Sequence, residues 1–243
     1  MLVFSNSLGA DSSMWAGQLE VFGASHRVVC YDSRGHGGSS ASPPPYTIGT
    51  LARDVLAIAH ELKVDRFRFC GISMGGLTGM WLALHAASRV ERLVLCNTAA
   101  KIGSPELWDT RIDKVKAGGV AAISQAVLER WFTPAFAASA PATMARMRTM
   151  MEAVSRDGYV GSCCAVRDAD CRGSVRNITV PTLVIAGTHD VAATPADGRY
   201  LVAEIAGSQY VELPGAHISN VECEAGFNAA LSAFLNPGGG QHG

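Results

Sequence analysis

The chain has 243 residues, of which 48% are hydrophobic and 17% charged, enough apolar content to bury a deep core as one large domain or two small ones, so disorder and fibrous repeats are excluded. Lysine and arginine number 20 against 21 aspartates and glutamates, for a formal net charge of -1 and no basic run, which removes the electrostatic footprint of nucleic-acid or anionic-membrane binding and favours a small or neutral ligand. No apolar stretch reaches the length of a bilayer span, and Met1 runs directly into Leu2-Val3-Phe4 without a basic leader, so a soluble, cytoplasmic protein is expected.

In chain order, short β-rich runs recur at residues 2–5, 27–31, 67–71, 92–96, 182–186 and 209–213, with helical patterns between them. Leu51, Val55, Ile58, Ala59 and Leu62 form one such pattern, and Leu77, Trp81, Leu82 and Leu84 another. This alternation predicts an α/β fold, a mostly parallel sheet flanked by helices. The rhythm breaks over residues 102–178, where alanine, methionine, arginine and tryptophan dominate and no strand pattern is found. That segment reads as an inserted helical lid over the carboxyl ends of the strands, or else as a helical layer that completes the core. The expected organisation is a core of residues 1–101 and 179–236, a lid of 102–178 and a flexible Gly-rich tail of 237–243.

Seven cysteines make an odd number, and Cys30, Cys70 and Cys96 sit in apolar runs where cysteine behaves as a small hydrophobe. No disulfide framework is expected. Cys163, Cys164 and Cys171 lack the paired spacing of a zinc site, so no metal is expected either.

Gly71-Ile72-Ser73-Met74-Gly75 is a G-x-S-x-G pattern, weak by itself. It gains weight from its place directly after the apolar run 67–70 and before a helical pattern, the strand, sharp turn and helix of a nucleophile elbow. There Ser73 would stand at a helix amino terminus, with the N–H of Met74 as one donor for a developing oxyanion. The second donor should come from the loop Ser5-Asn6-Ser7-Leu8-Gly9, with Leu8 first and Ser7 second. A serine needs a histidine to take its proton and a carboxylate to orient that histidine. In this fold the order is serine, acid, histidine, and Gly187-Thr188-His189-Asp190 and Pro214-Gly215-Ala216-His217 follow two later strand runs. Asp190 is therefore assigned as the acid and His217 as the base. His36, ahead of Ser73, should order its own loop, and Asp197 after Pro195 should cap a helix.

These residues resemble the α/β-hydrolase superfamily and, within it, the 3-oxoadipate enol-lactonase family. The broader likeness is carried by Tyr31-Asp32-Ser33-Arg34-Gly35-His36-Gly37, by the elbow and by the Asp190 and His217 turns. The narrower one lies in Ser5-Asn6-Ser7-Leu8-Gly9, Gly76-Leu77-Thr78-Gly79, Cys96-Asn97-Thr98-Ala99-Ala100, Arg130-Trp131-Phe132 and His217-Ile218-Ser219-Asn220. The resemblance implies opening of 3-oxoadipate enol-lactone to 3-oxoadipate through an acyl-enzyme, in bacterial aromatic catabolism, with no metal or organic cofactor. Members of that family usually begin with two further antiparallel edge strands, so this chain is expected to start at the strand after them, leaving an apolar edge uncovered. A substrate with a free carboxylate calls for a cation in the lid. Arg130, Arg146, Arg148, Arg156 and Arg167 all qualify, and Trp131 suits an aromatic wall over the ring. Alternatives are a general carboxylesterase, a carbon-carbon bond hydrolase, or a lactone-binding receptor without turnover. The oligomeric state stays open, a homo-oligomer included.

Overall fold

The computed structural model describes residues 1–236; the Gly-rich segment 237–243 lies outside them. Six strands, β1 (Leu2–Ser5), β2 (Val28–Cys30), β3 (Phe67–Ile72), β4 (Val90–Cys96), β5 (Thr182–Gly187) and β6 (Gln209–Leu213), form one parallel sheet in the order β2-β1-β3-β4-β5-β6. The strands stand where the apolar runs predict them. β4 starts two residues earlier than its run, at Val90, and β2 is trimmed to Val28–Cys30, because an edge strand is held by a single neighbour. β1, β5 and residues 93–96 of β4 are buried apolar runs, the pattern of strands covered on both faces.

Right-handed crossovers fix the two helical layers. The chain leaves β1 through α1 (Ala16–Phe22) to β2 on one side, then passes back through α2 (Ile48–Glu61) to β3 on the other side of β1. α1 packs with the C-terminal α11 (Glu224–Leu235), and α2 packs with α3 (Met74–His85) on the opposite face. Phe4 stacks on Trp15 with centroids 4.6 Å apart, and Trp15 in turn tilts against Phe227, which joins β1 to the α1 and α11 layer. α3 is buried on nearly every side, as its apolar sequence requires of a helix between a sheet and α2.

Because the chain reverses direction across β1, the carboxyl ends of β1 and β3 flank a crevice, the usual ligand site of an open parallel sheet. Above that edge, between β4 and β5, stand α4 (Pro105–Gly118), α5 (Ala121–Trp131), α6 (Pro134–Ser139), α7 (Pro141–Glu152) and α8 (Arg156–Asp168). Three of them open on Ser104, Thr133 and Ser155, whose hydroxyls accept from Leu107, Phe136 and Gly158 N–H. They pack on one another through Trp108, Met147, Met150 and Met151, in an apolar cluster continuous with that of the sheet. The chain closes through α9 (Pro195–Glu204), β6, α10 (Ser219–Glu222) and α11. Among the described residues no helix is long and apolar enough to cross a membrane.

Candidate active site

The turn from β3 into α3 is a sharp one. Ser73 sits at φ 57° and ψ -112°, left-handed backbone that a residue with a side chain adopts only under constraint. The constraint is visible in its neighbours. Ser73 N–H donates to Cys96 carbonyl at 3.0 Å, Leu77 N–H and Thr98 Oγ1 donate to Ser73 carbonyl, and Gly75 N–H donates to Asn6 carbonyl at 3.1 Å. The last bond ties the start of α3 to the loop after β1. A Cβ on Gly71 would run into the Gly75 backbone, and one on Gly75 into the carbonyl of Ser5, so both positions are open only to glycine.

The loop after β1 is held from below. Asn6 Oδ1 accepts from Trp15 Nε1 at 2.8 Å and Asn6 Nδ2 donates to Tyr31 carbonyl at 2.9 Å. Gly9, at φ 92°, donates its N–H to His36 Nε2 at 3.0 Å, and His36 is fully buried. Burial lowers the His36 pKa, and its Nδ1, 3.0 Å from the Arg34 carbonyl, must donate because a carbonyl only accepts. Nε2 is thereby left as the acceptor that Gly9 uses.

Asp190 and His217 come together from the ends of β5 and β6, with His217 Nδ1 2.8 Å from Asp190 Oδ2 and both side chains almost wholly buried. Asp190 Oδ1 accepts from Ala192 and Ala193 N–H at 2.8 and 3.0 Å, and Oδ2 also accepts from Asn97 Nδ2 at 3.1 Å. Burial pushes the Asp190 carboxyl up, but His217 and these N–H donors more than offset it and hold the group below the ordinary carboxylate range. An ionised carboxylate can only accept, so His217 donates through Nδ1 and keeps Nε2 free to take a proton.

Ser73 and His217 line one cavity of 130 Å³ together with Ser7 and Leu8. Its roof is made by Ile102, Trp108, Arg111, Val127, Arg130 and Trp131, and its rim by Val191 and Ala192. Leu8 therefore faces the serine across the cavity, whereas Met74 is buried at the first position of α3 and its side chain is not part of the lining. Trp131 is buried, and its carbonyl accepts from Ile218 N–H next to His217. Of the five arginines expected as carboxylate partners, Arg130 alone lines the cavity; Arg148 is engaged by Gln125 and Glu152, and Arg167 by Asp109 and Asp168. His189, beside Asp190, is exposed and does not line the cavity, and Asp197 closes a capping box with Thr194 on α9.

Three participants escape a reading of the sequence. Arg111 lines the cavity with its guanidinium 4.7 Å over the Trp108 ring, and it makes no ion pair among the described residues. Asn97, at φ 45°, holds Asp190 and the Ala216 carbonyl through Nδ2 while Oδ1 accepts from Ser219 Oγ. Glu222 accepts from Ala216 N–H at 2.8 Å and from the N–H and hydroxyl of Thr133. A polar residue at a strand end was the available signal for Asn97; nothing local marks the other two.

A family model described as the alpha/beta hydrolase fold matches residues 1–222. The chain is 43% identical over 234 residues to 3-oxoadipate enol-lactonase 2 of Acinetobacter baylyi, covering 96% of this chain and 88% of that protein. It is 36% identical, over the same shares, to 3-oxoadipate enol-lactonase 1 of the same organism. The crystal structure of the enol-lactonase from Burkholderia xenovorans LB400 superposes with a TM-score of 0.95 at 49% identity, covering 97% of this chain and 90% of that one. With a sharp strand-to-helix turn at Ser73, an aspartate-histidine pair and a roofed cavity on one sheet edge, and with relatives this similar over nearly all of its length, the chain belongs to the α/β-hydrolase fold family and, within it, to the group of the 3-oxoadipate enol-lactonases.

Proposed function

We propose that the chain is a serine hydrolase that opens 3-oxoadipate enol-lactone to 3-oxoadipate in the β-ketoadipate route of aromatic-compound catabolism, acting in the cytoplasm. The observation that carries the reading is a single cavity holding Ser73, the free face of His217 and, in its roof, Arg111, a cation without an ion-pair partner among the described residues. A lactone with a free carboxylate needs those three groups together.

His217 Nε2 takes the Ser73 proton as Oγ adds to the lactone carbonyl, while Asp190 holds the imidazole in the required tautomer and stabilises its charged form. The N–H groups of Leu8 and Met74 receive the oxyanion, and His36, by fixing Gly9, keeps the first of them in place. The ring oxygen departs as an enol that tautomerises to the ketone, which drives ring opening. Water, deprotonated by His217, then releases the diacid. Arg111 pairs with the substrate carboxylate, Arg130 adds positive charge to the roof, and Trp108 and Trp131 wall the ring. Residues 1–101 and 179–236 act as the catalytic body, and 102–178 as the lid.

The test is loss of the enol-lactone ultraviolet absorbance, with lactone generated in situ, for wild type beside Ser73→Ala. Wild type should consume the lactone rapidly, and the variant should be slower by about a millionfold, as in other serine triads. A folded protein that cleaves aryl esters through Ser73 but spares the lactone would keep the nucleophile and discard the substrate.

A further inference from the structure

The cavity around Ser73 has open room on two sides, and the two sides differ in chemistry. Towards α4 and α5, Arg111 and Arg130 lead into a hollow of 430 Å³ that also carries Lys114 and Glu106. Towards the acid and base turns lies a separate groove of 590 Å³. It runs between the first turn of α6, with Pro134 and Ala135, and the segments that flank Asp190 and His217, with His189, Val191, Pro214 and Ala216. Val191 and Arg130 line both the Ser73 cavity and this groove, and Val191 is 67% exposed, so the two spaces adjoin at these two side chains.

Acyl transfer to a serine sets where each part of the substrate lies. The leaving oxygen must receive its proton from His217, so whatever is bonded to that oxygen projects to the His217 side. In a lactone the leaving oxygen remains tethered to the acyl chain and brings no separate group with it. The groove beside Ala216 and Val191 is therefore surplus to lactone opening. An open-chain ester would fill it with its alcohol portion, and Val191, Pro134, Ala135 and Pro214 present apolar surface for an alkyl or aryl alcohol.

We propose that the same site hydrolyses open-chain half-esters of short dicarboxylic acids, with the free carboxylate on Arg111 and the alcohol portion in the groove between α6 and the Asp190 and His217 turns. The inference rests on the reading of Ser73 as nucleophile and Arg111 as carboxylate partner. Ser73 Oγ adds to the ester carbonyl and passes its proton to His217. The carbon-oxygen bond to the alcohol breaks, and the alcohol leaves with that proton. Water then gives a proton to His217 and its oxygen to the acyl carbon, and the proton returns to Ser73 as the diacid departs. The sum is half-ester plus water to diacid plus alcohol, and no other reactant enters.

Benzyl hydrogen succinate, methyl hydrogen succinate and the neutral benzyl methyl succinate separate the elements of this proposal, with alcohol release followed chromatographically and lactone decay measured beside it. Wild type should favour the benzyl half-ester over the neutral diester by about tenfold or more in kcat/KM, and Arg111→Met should erase that preference, chiefly through KM. Ala135→Trp, at an exposed position of the groove wall, should lower benzyl half-ester turnover by about tenfold and leave the methyl half-ester and the lactone within about twofold. Equal wild-type rates on the half-ester and the diester would overturn the proposal, as would an Ala135→Trp protein impaired alike on benzyl and methyl half-esters. Lactone decay without half-ester preference removes this proposal alone. Half-ester turnover with both signatures and no lactone decay removes the enol-lactone reading alone.

Discussion

His36 shows how one buried side chain ties the loop beside Ser73 to stability. Its ring stands between a donor, Gly9 N–H, and an acceptor, the Arg34 carbonyl, and only the neutral imidazole serves both. Burial lowers its pKa from the ordinary 6.5, against the opposing pull of the Arg34 carbonyl and the Asp32 and Asp11 carboxylates. The unfolded chain takes up the proton at the ordinary value while the folded chain resists it, so stability is complete above pH 6.5 and is lost as pH falls from there through the folded pKa. His26, lowered by burial and by Arg68, contributes in the same window, whereas the loss due to Asp190 begins only below its ordinary 3.8. In His36→Gln, which keeps an acceptor and a donor but does not titrate, the slope of unfolding free energy against pH should flatten by up to about 1.4 kcal/mol per pH unit below pH 6.5, the value for one proton. Denaturant melts of both proteins between pH 7.5 and 5 measure this, and parallel curves would remove His36 from the account.

At the level of elements, the end of α5 and the start of α6 are stitched to the turn that carries His217. Ile218 N–H donates to the Trp131 carbonyl at 3.0 Å, and the Glu222 carboxylate joins Thr133, the cap of α6, to Ala216 N–H. Movement of these helices therefore pulls on His217. Replacing Glu222 by glutamine puts an amide N–H where two donors already point, and should cost about 1–2 kcal/mol of stability. Hydrogen exchange should quicken at residues 131–136 and 216–218 together, and kcat should fall by about tenfold with a smaller change in KM. Quickened exchange at one of the two segments without the other would deny the link. The same elements explain what a sequence can and cannot disclose. The central strands were legible because each is a short apolar run buried in the sheet, and the edge strands β2 and β6 by their β-rich runs; Ser73, Asp190 and His217 were legible because each lies in the turn after such a run. Arg111 was not, because each residue turns a helix by about 100°, and which face of α4 meets the cavity is fixed by its packing on α8 and α5 rather than by its own composition. Asn97 reads as a strand end in sequence, and only the approach of β5 and β6 makes it the support of Asp190.

For the whole molecule, 20 cationic and 21 anionic side chains leave almost no net field to draw an anionic substrate from a distance. Attraction must then come from the local cluster of Arg111, Lys114 and Arg130 at the α4 and α5 mouth, with Glu106 opposing it. Lys114 and Arg130 are exposed there, and salt at physiological strength screens exposed charges beyond about 8 Å. A steered encounter of this short range implies a shallow salt dependence, unlike that of a protein with a strongly polarised surface. Between about 20 and 200 mM salt, kcat/KM for the anionic lactone should fall by about two- to threefold, while kcat, which reports events after binding, stays level. In Arg111→Met the same titration should be flatter and start lower, because one charge of the cluster and the only half-buried one has been removed. A neutral aryl ester gives the control, since its kcat/KM should not respond to salt in either protein. If wild type and Arg111→Met show the same salt dependence for the lactone, the anion is drawn in elsewhere and the α4 and α5 mouth is not its entrance.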